Sequence, residues 1–506
     1  MNNNEGMFGA QPKRIRMPVC DKVTVTECSD DFTLPDYQPE IRRLLHISAS
    51  VLPPARYIGG NNAEFNGTLD YQVLYVGSDG ALYSVPLSAE YNFSCPLDAG
   101  SDFDINEGVL VFADMNAENV TSRVSAPRKL TIRCRLRSHV RGYGVMYLPE
   151  KLNGNVNPMT LQRLDGECSP AVFMRGTGEV LDVSDEIIPD SPDTRVICAE
   201  ARVFVTDTEA AEGNVNCRGD VMLKIMSCLE GEESQPQLTY RRIPFSQSVE
   251  LEGEMTPDCE CRAFGHVSNI AVNVGDGKII CDVSIILEAE AQKAVPFGYT
   301  KDIFSTENSC ECAYKEYRVP VALKCRNGNF SQNDRLDRAT LTLPENAVII
   351  DTSATAVAEN FEYDADKGKI TVSGQCRYTL LLSDSGEYST SEIQTPFRYE
   401  LDATGNIQPA VSDADIDVVS CRARFDADSL CIDSEISVAL SVSGEEAVNV
   451  LSEARFGEPL KRSRSDIIIC YPSPDDTVWS VAKRYCVPVT SVSSTDETGK
   501  DYLIIN

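Results

Sequence analysis

Histidine is nearly missing from this chain, with only His46, His139 and His266 in 506 residues. Each stands in its own strand-like context, so a nucleophile with a positioned base and orienter cannot be assembled from them. A Walker A loop, a Gly-x-Ser-x-Gly elbow and a His-Glu-x-x-His helix are missing too. The expectation is a protein that is not an enzyme and uses no cofactor. No apolar run approaches the roughly 20 residues of a transmembrane helix. The N-terminal stretch MNNNEGMFGAQPKRIRMP lacks the apolar core of a secretory signal, so a soluble, cytosolic protein is expected. Cations are scarce: 46 Lys and Arg against 77 Asp and Glu leave a net charge of −31. That balance argues against nucleic acid, whose binding rests on neutralised phosphates, and suits a basic partner.

Cysteine, by contrast, is plentiful, with nineteen residues. An odd number closes no complete disulfide framework, and without an export signal the thiols should be reduced. Many occupy inward-looking strand positions, such as Cys134, Cys281 and Cys376, where cysteine serves as a small buried hydrophobe. Cys259-Glu260-Cys261 and Cys310-Glu311-Cys312 are the best metal candidates. Zinc sites usually space their thiolates by two to four residues, whereas a spacing of one puts both on one strand face. No metal is therefore expected, and these are read as buried or edge-strand thiols.

At this length, roughly three or four domains are expected. Three segments share one order of signals, opening at Leu34-Pro35, Ile188-Pro189 and Leu343-Pro344, a period of about 155 residues. Solenoid repeats span only roughly 20–50 residues, so these are whole domains in tandem. About 30 residues beyond each proline comes a glycine: Gly67, Gly219 and Gly374. After each, the chain alternates in the same parity. Leu69, Tyr71 and Val73 answer to Val221, Leu223 and Ile225, and to Cys376, Tyr378 and Leu380. Period-two alternation marks half-buried strands. Aromatics follow at Phe93, Phe245 and Phe397. Each segment closes on another alternating run: Leu130–Leu136, Ile279–Ile285 and Leu430–Ile436. Turns such as Ser78-Asp79-Gly80 and Gly275-Asp276-Gly277 punctuate the strands. Long amphipathic helices are hard to find. The pattern predicts an all-β chain of three antiparallel sandwich- or barrel-like units: residues 1–154, 155–308 and a diverged third over 309–462. On the closing strand of the first, Arg133, Arg135 and Arg137 form an outward stripe, read chiefly as a solvated face and otherwise as a docking surface for an acidic partner.

A basic linker, Lys461–Arg464, precedes a different pattern over 463–506. Asp476 or Thr477 can cap a short helix. Val478, Val481, Ala482 and Tyr485 then fall at i, i+3, i+4 and i+7, which predicts one buried stripe. Trp479, the only tryptophan, lies beside that stripe and should be at least partly exposed. The run Asp476–Tyr485 resembles the signature of the LysM module, a βααβ fold. Two departures fall at its sugar-binding loops: Asp475 stands in place of the usual glycine, and Ser491–Lys500 lacks the usual asparagines.

Repeats with Leu34–Ile41, Gly67–Val76 and Pro127–Val140 in the first copy, followed by a LysM-like end, resemble the SPOCS-domain spore-coat morphogenetic proteins of endospore-forming bacteria. The likeness is to the clostridial type, which partners the coat basement-layer ATPase. It implies a scaffold in the mother-cell cytoplasm that binds that ATPase and other coat proteins at the forespore surface. Trp479, Ile467, Thr477 and Asp476 would form the partner-binding face. An exposed tryptophan suits such a face because its large ring anchors interfaces at low entropic cost. The alternative is peptidoglycan or N-acetylglucosamine-polymer binding through the same module.

Overall fold

The computed structural model describes residues 13–98, 103–104, 108–148, 151–154, 156–229, 235–253, 255–275, 277–322, 328–344, 346–364, 366–402, 410–460, 468–494 and 503–505. Almost all of them are strand; one α-helix, Val478–Tyr485, occurs among the described residues. The sheets are small and overwhelmingly antiparallel. Three have one long central strand: Asn62–Gly77, Asn214–Leu229 and Lys369–Asp384. Flanking them are Ile41–Val51 and Leu82–Pro96, Thr194–Ala210 and Gln237–Glu250, and Val348–Asp364 and Glu387–Asp402. Each sheet is followed by a long hairpin: Leu110–Ala126 with Lys129–Leu148, Glu260–Gly275 with Lys278–Ala294, and Ala410–Asp426 with Ser429–Pro459.

Every sheet packs face to face on its hairpin, because both present an alternating apolar face. Leu69, Tyr71 and Val73 meet Leu130, Ile132 and Leu136. Val221, Leu223 and Ile225 meet Cys281, Val283 and Ile285. Cys376, Tyr378 and Leu380 meet Leu430, Ile432 and Ile436. Burying such a side chain stabilises by about 1.5–3 kcal/mol relative to leaving it in water. The hairpins are widened by strands preceding the Leu-Pro signals: Lys13–Thr33 in the first case, Ala171–Thr177 and Leu181–Ile187 in the second, Asn308–Ala322 and Gly328–Asp337 in the third.

The three signal glycines share one physical cause. Gly67 pairs across the sheet with Tyr91, Gly219 with Phe245, and Gly374 with Phe397. The aromatic ring lies over the bare backbone, where an added Cβ would stand 2.3 Å from Tyr91, 2.7 Å from Phe245 and 2.9 Å from Phe397. In the second and third sheets a bulge in the opposite neighbour also drives a carbonyl into that space, Phe204 O at 2.1 Å and Val357 O at 2.0 Å. The structure corrects one correspondence: Phe93 pairs with Phe65, and the residue facing Gly67 is Tyr91.

The three sheets close on one another in a ring. Ser84 and Arg195 each donate across the first seam, to the Ile197 and Leu82 carbonyls at 2.8 and 3.1 Å. Arg202 donates to the Ala354 carbonyl (3.3 Å) across the second, where Lys224 also meets Asp351 (2.7 Å). Thr390 and Arg43 close the third through the Leu45 and Tyr388 carbonyls, both at 3.0 Å. Leu45, Val76, Leu82, Ile197, Met226 and Leu381 fill the centre. Lys224 also pairs with Glu200 at 2.8 Å. Burial works against that charge, yet the ammonium holds the Glu200 carboxyl below its usual range.

Candidate partner-binding site

The C-terminal module begins with Ile468–Cys470, which pairs with Leu503–Ile505; that strand pairs in turn with Val492–Ser494. Between them lie the helix Val478–Tyr485 and one turn of 3₁₀ helix, Val489–Ser491, where a βααβ fold would place its second helix. Thr477 is the helix cap. Its hydroxyl accepts from the Ser480 N–H at 3.1 Å, and Ser480 Oγ accepts in return from the Thr477 N–H at 2.9 Å. This reciprocal box satisfies two otherwise free donors. Asp476 instead braces the turn, accepting from Ser473 N at 3.0 Å, from Ser480 Oγ at 3.1 Å and from Arg484. The helix ends on Cys486 in the left-handed region, with φ at 53°.

The buried stripe is narrower than the spacing predicts. Val481 and Ala482 are buried, while Val478 and Tyr485 are 39% and 38% exposed. The helix is only two turns long and turns its core side toward the rest of the chain. Val481, Ala482, Cys470, Val492 and Ile505 pack around Phe304, which belongs to the strand Phe297–Ser305.

Trp479 sits at this seam. It is half-buried, and its ring meets Phe304 edge-to-face at 5.0 Å between centroids. Its indole N–H donates to Asp302 Oδ2 at 2.7 Å. Lys483 donates to both oxygens of the same carboxylate, at 2.6 and 2.8 Å, and the Tyr314 hydroxyl donates to it at 2.6 Å. Burial opposes ionisation of Asp302, but the Lys483, Tyr314 and Trp479 donors outweigh it and hold the carboxyl below its usual range. Val489 N donates to Gln162 Oε1 at 3.2 Å, a second tie to the body. The indole thus faces the chain's own strand. Ile469, Tyr471, Val478 and Tyr485 are the large apolar side chains that the module exposes among the described residues. Ile467 and the linker Lys461–Arg464 lie outside the described residues.

Of the predicted site residues, the structure therefore brings Trp479, Thr477 and Asp476 to one short helix and its cap. Asp302, Phe304 and Tyr314 lie more than 160 residues away in sequence, and no local pattern announces them. Elsewhere, Arg133 and Arg135 point outward as the alternation predicts, and Arg135 and Arg137 share Glu118 at 3.5 and 3.6 Å. Among the described residues, no three His, Cys, Asp or Glu side chains come together in a way that could hold a metal ion. No helix of the described residues is long and apolar enough to cross a membrane.

Stacked antiparallel β-sheets carrying one small docked module with a single helix place the chain, over its described residues, in the nearly all-β class. Residues 194–275 match the family described as SipL, SPOCS domain. That segment runs from the first residue of the strand Thr194–Ala210 to the last of Glu260–Gly275, so it comprises the second three-stranded sheet and the first arm of its hairpin. No curated protein and no solved structure matches the chain.

Proposed function

We propose that the chain is a non-enzymatic scaffold of spore-coat assembly. The observation carrying this reading is the SipL SPOCS-domain match over residues 194–275, since that domain is linked to spore-coat and sporulation proteins. The first and third sheets, each with its hairpin, repeat the strand order of the matched segment, which supports three copies of one unit. The copies correspond to residues 1–154, 155–308 and 309–462, with a LysM-like module over 463–506. In this reading the protein works in the mother-cell cytoplasm at the forespore surface. Its module binds the coat basement-layer ATPase, and the β units carry other coat proteins.

The test is a titration of the full chain, and of a chain ending at residue 462, against purified ATPase and against peptidoglycan. The full chain should bind the ATPase and the shortened chain should not, while circular dichroism shows both to be β-rich. Tight peptidoglycan binding lost on truncation would establish the glycan-binding alternative instead.

A further inference from the structure

We propose that Cys310 and Cys312 form a redox-active dithiol, a modification site at which a peroxide closes an intrachain disulfide while the equally close pair Cys20 and Cys95 stays reduced. The two residues lie on one face of the strand Asn308–Ala322, opposite Phe456 and Ala454 of its neighbour. Their sulfurs are 3.6 Å apart, and both thiols turn toward the Ile303 carbonyl. Two strand residues on one face span about 6.6 Å between Cα atoms, at the upper end of the roughly 4.4–6.8 Å that disulfides bridge, so closing the bond must bend the strand to bring the Cβ atoms within about 4.5 Å. Both side chains are half-buried, so a small oxidant can reach them.

The surroundings make one sulfur the nucleophile. The hydrogen bond shared with Cys310 lowers the Cys312 pKa to about 6 against the effect of burial; the Lys483 ammonium adds to this, and Asp302 opposes it. The same hydrogen bond pushes Cys310 up. Cys20 and Cys95 are as close, with sulfurs 3.4 Å apart, but both are buried, and burial pushes Cys20 up to about 12. Burial thus keeps Cys20 a thiol, and the pair serves as an internal control.

With hydrogen peroxide the chemistry balances. The Cys312 thiolate attacks one peroxide oxygen, the O–O bond breaks, and the departing hydroxide takes up a proton as water. Cys310 then attacks the sulfenic sulfur, forming the S–S bond and expelling a second water. Two thiols lose two electrons and two protons, and one peroxide becomes two waters. At pH 6 a thiol of pKa about 6 is roughly 150-fold richer in thiolate than one of pKa about 8.5; its weaker nucleophilicity returns about a factor of ten. Cys312 should therefore react roughly tenfold faster than an ordinary accessible cysteine at that pH.

The experiment uses the reduced full chain, equimolar hydrogen peroxide at pH 6, alkylation in denaturant and peptide mass spectrometry. The peptide holding both residues should be lighter by about 2 Da and resist alkylation, while Cys20 and Cys95 alkylate fully. Cys310→Ser should stop at the sulfenic acid, trapped by dimedone on Cys312. In native protein, Lys483→Ala should raise the midpoint of the Cys312 alkylation profile. A Cys312 midpoint at pH 8 or above in the unaltered chain would overturn the proposal. So would oxidation of Cys20 and Cys95 ahead of this pair, or failure of dimedone to trap Cys312 in a Cys310→Ser chain that melts normally.

Discussion

Trp479 gives its indole N–H to Asp302 at 2.7 Å, a bond spanning 177 positions of sequence. The only tryptophan is thereby committed to the chain's own body, and the C-terminal module is seated on the strand Phe297–Ser305. If the module also binds the ATPase through Trp479, the partner must displace Asp302 and Phe304. If it binds through Ile469, Tyr471, Val478 and Tyr485, the seat can stay closed.

Trp479→Phe separates the two routes. It keeps an aromatic ring against Phe304 but loses part of the indole's packing and the bond to a charged carboxylate, which typically contributes about 1.5–3 kcal/mol. The helix Val478–Tyr485 should exchange its amide hydrogens faster in the full chain. ATPase affinity should change if Trp479 belongs to the binding face, and stay unchanged if the exposed apolar residues form it. Trp479→Glu brings a second carboxylate against Asp302 and should unseat the module outright. Hydrogen exchange and a binding titration, with melting as a control of the fold, decide the matter.

Gly219→Ala and Gly374→Ala should each destabilise the chain by roughly 2–4 kcal/mol, because the new methyl meets backbone carbonyls that cannot retreat without breaking the bulge. Gly67→Ala should cost less, since its Cβ meets the Tyr91 ring but no backbone carbonyl. Gly213→Ala meets open space and suffers only the strain of a φ near +80°. Chemical denaturation of the four variants should return that order.

A buried ion cluster joins the first hairpin to the second. Arg141 and Arg175 both clasp Asp114, at 2.6 and 2.7 Å, and both guanidinium groups lie over the Phe112 ring. Arg141 and Arg262 reach Glu290 at 3.2 and 2.7 Å, and Arg175 reaches Glu288 at 3.0 Å. Removing one partner strands a charge inside, so Asp114→Ala should lose about 3–5 kcal/mol. Replacing the charges together by apolar residues of similar size should cost far less.

The same cluster predicts acid sensitivity. Burial alone would raise the Glu290 pKa, but Arg141, Arg262 and Arg175 pull it down to about 2; Asp114 is also held low, by Arg175 and Arg141. Carboxyls with depressed folded pKa values contribute stability above their unfolded values and lose it as pH falls through the folded ones. The melting temperature should therefore hold above about pH 4.5 and fall steeply toward pH 2. In Asp114→Asn the fall should be shallower. Calorimetry across that range checks both.

Much of the β-structure is legible residue by residue. Leu69, Tyr71 and Val73 and their counterparts could be assigned to buried faces because a strand turns alternate side chains to opposite sides, whatever lies around it. The sequence narrows the helix cap only to Asp476 or Thr477, since both can accept from a free helix N–H; backbone geometry selects the threonine and leaves Asp476 to hold Arg484. The spacing predicts a wider buried stripe on the helix than the structure shows. Spacing says which residues share a side, but not how much of that side a neighbour covers, and here the cover stops at Val481 and Ala482.

The alternation of apolar residues, the glycines and the turn signals are local, so the sequence by itself determined that this chain forms antiparallel strands and which of their faces are buried. Which sheets meet, and what Trp479 touches, depend on contacts between residues more than 100 positions apart. Only the tertiary structure decided that Gly67 faces Tyr91, that three sheets close into a ring around Leu45, Ile197 and Leu381, and that Asp302 receives the indole. Such contacts arise from the summed burial of whole faces, a property that no short stretch of sequence carries.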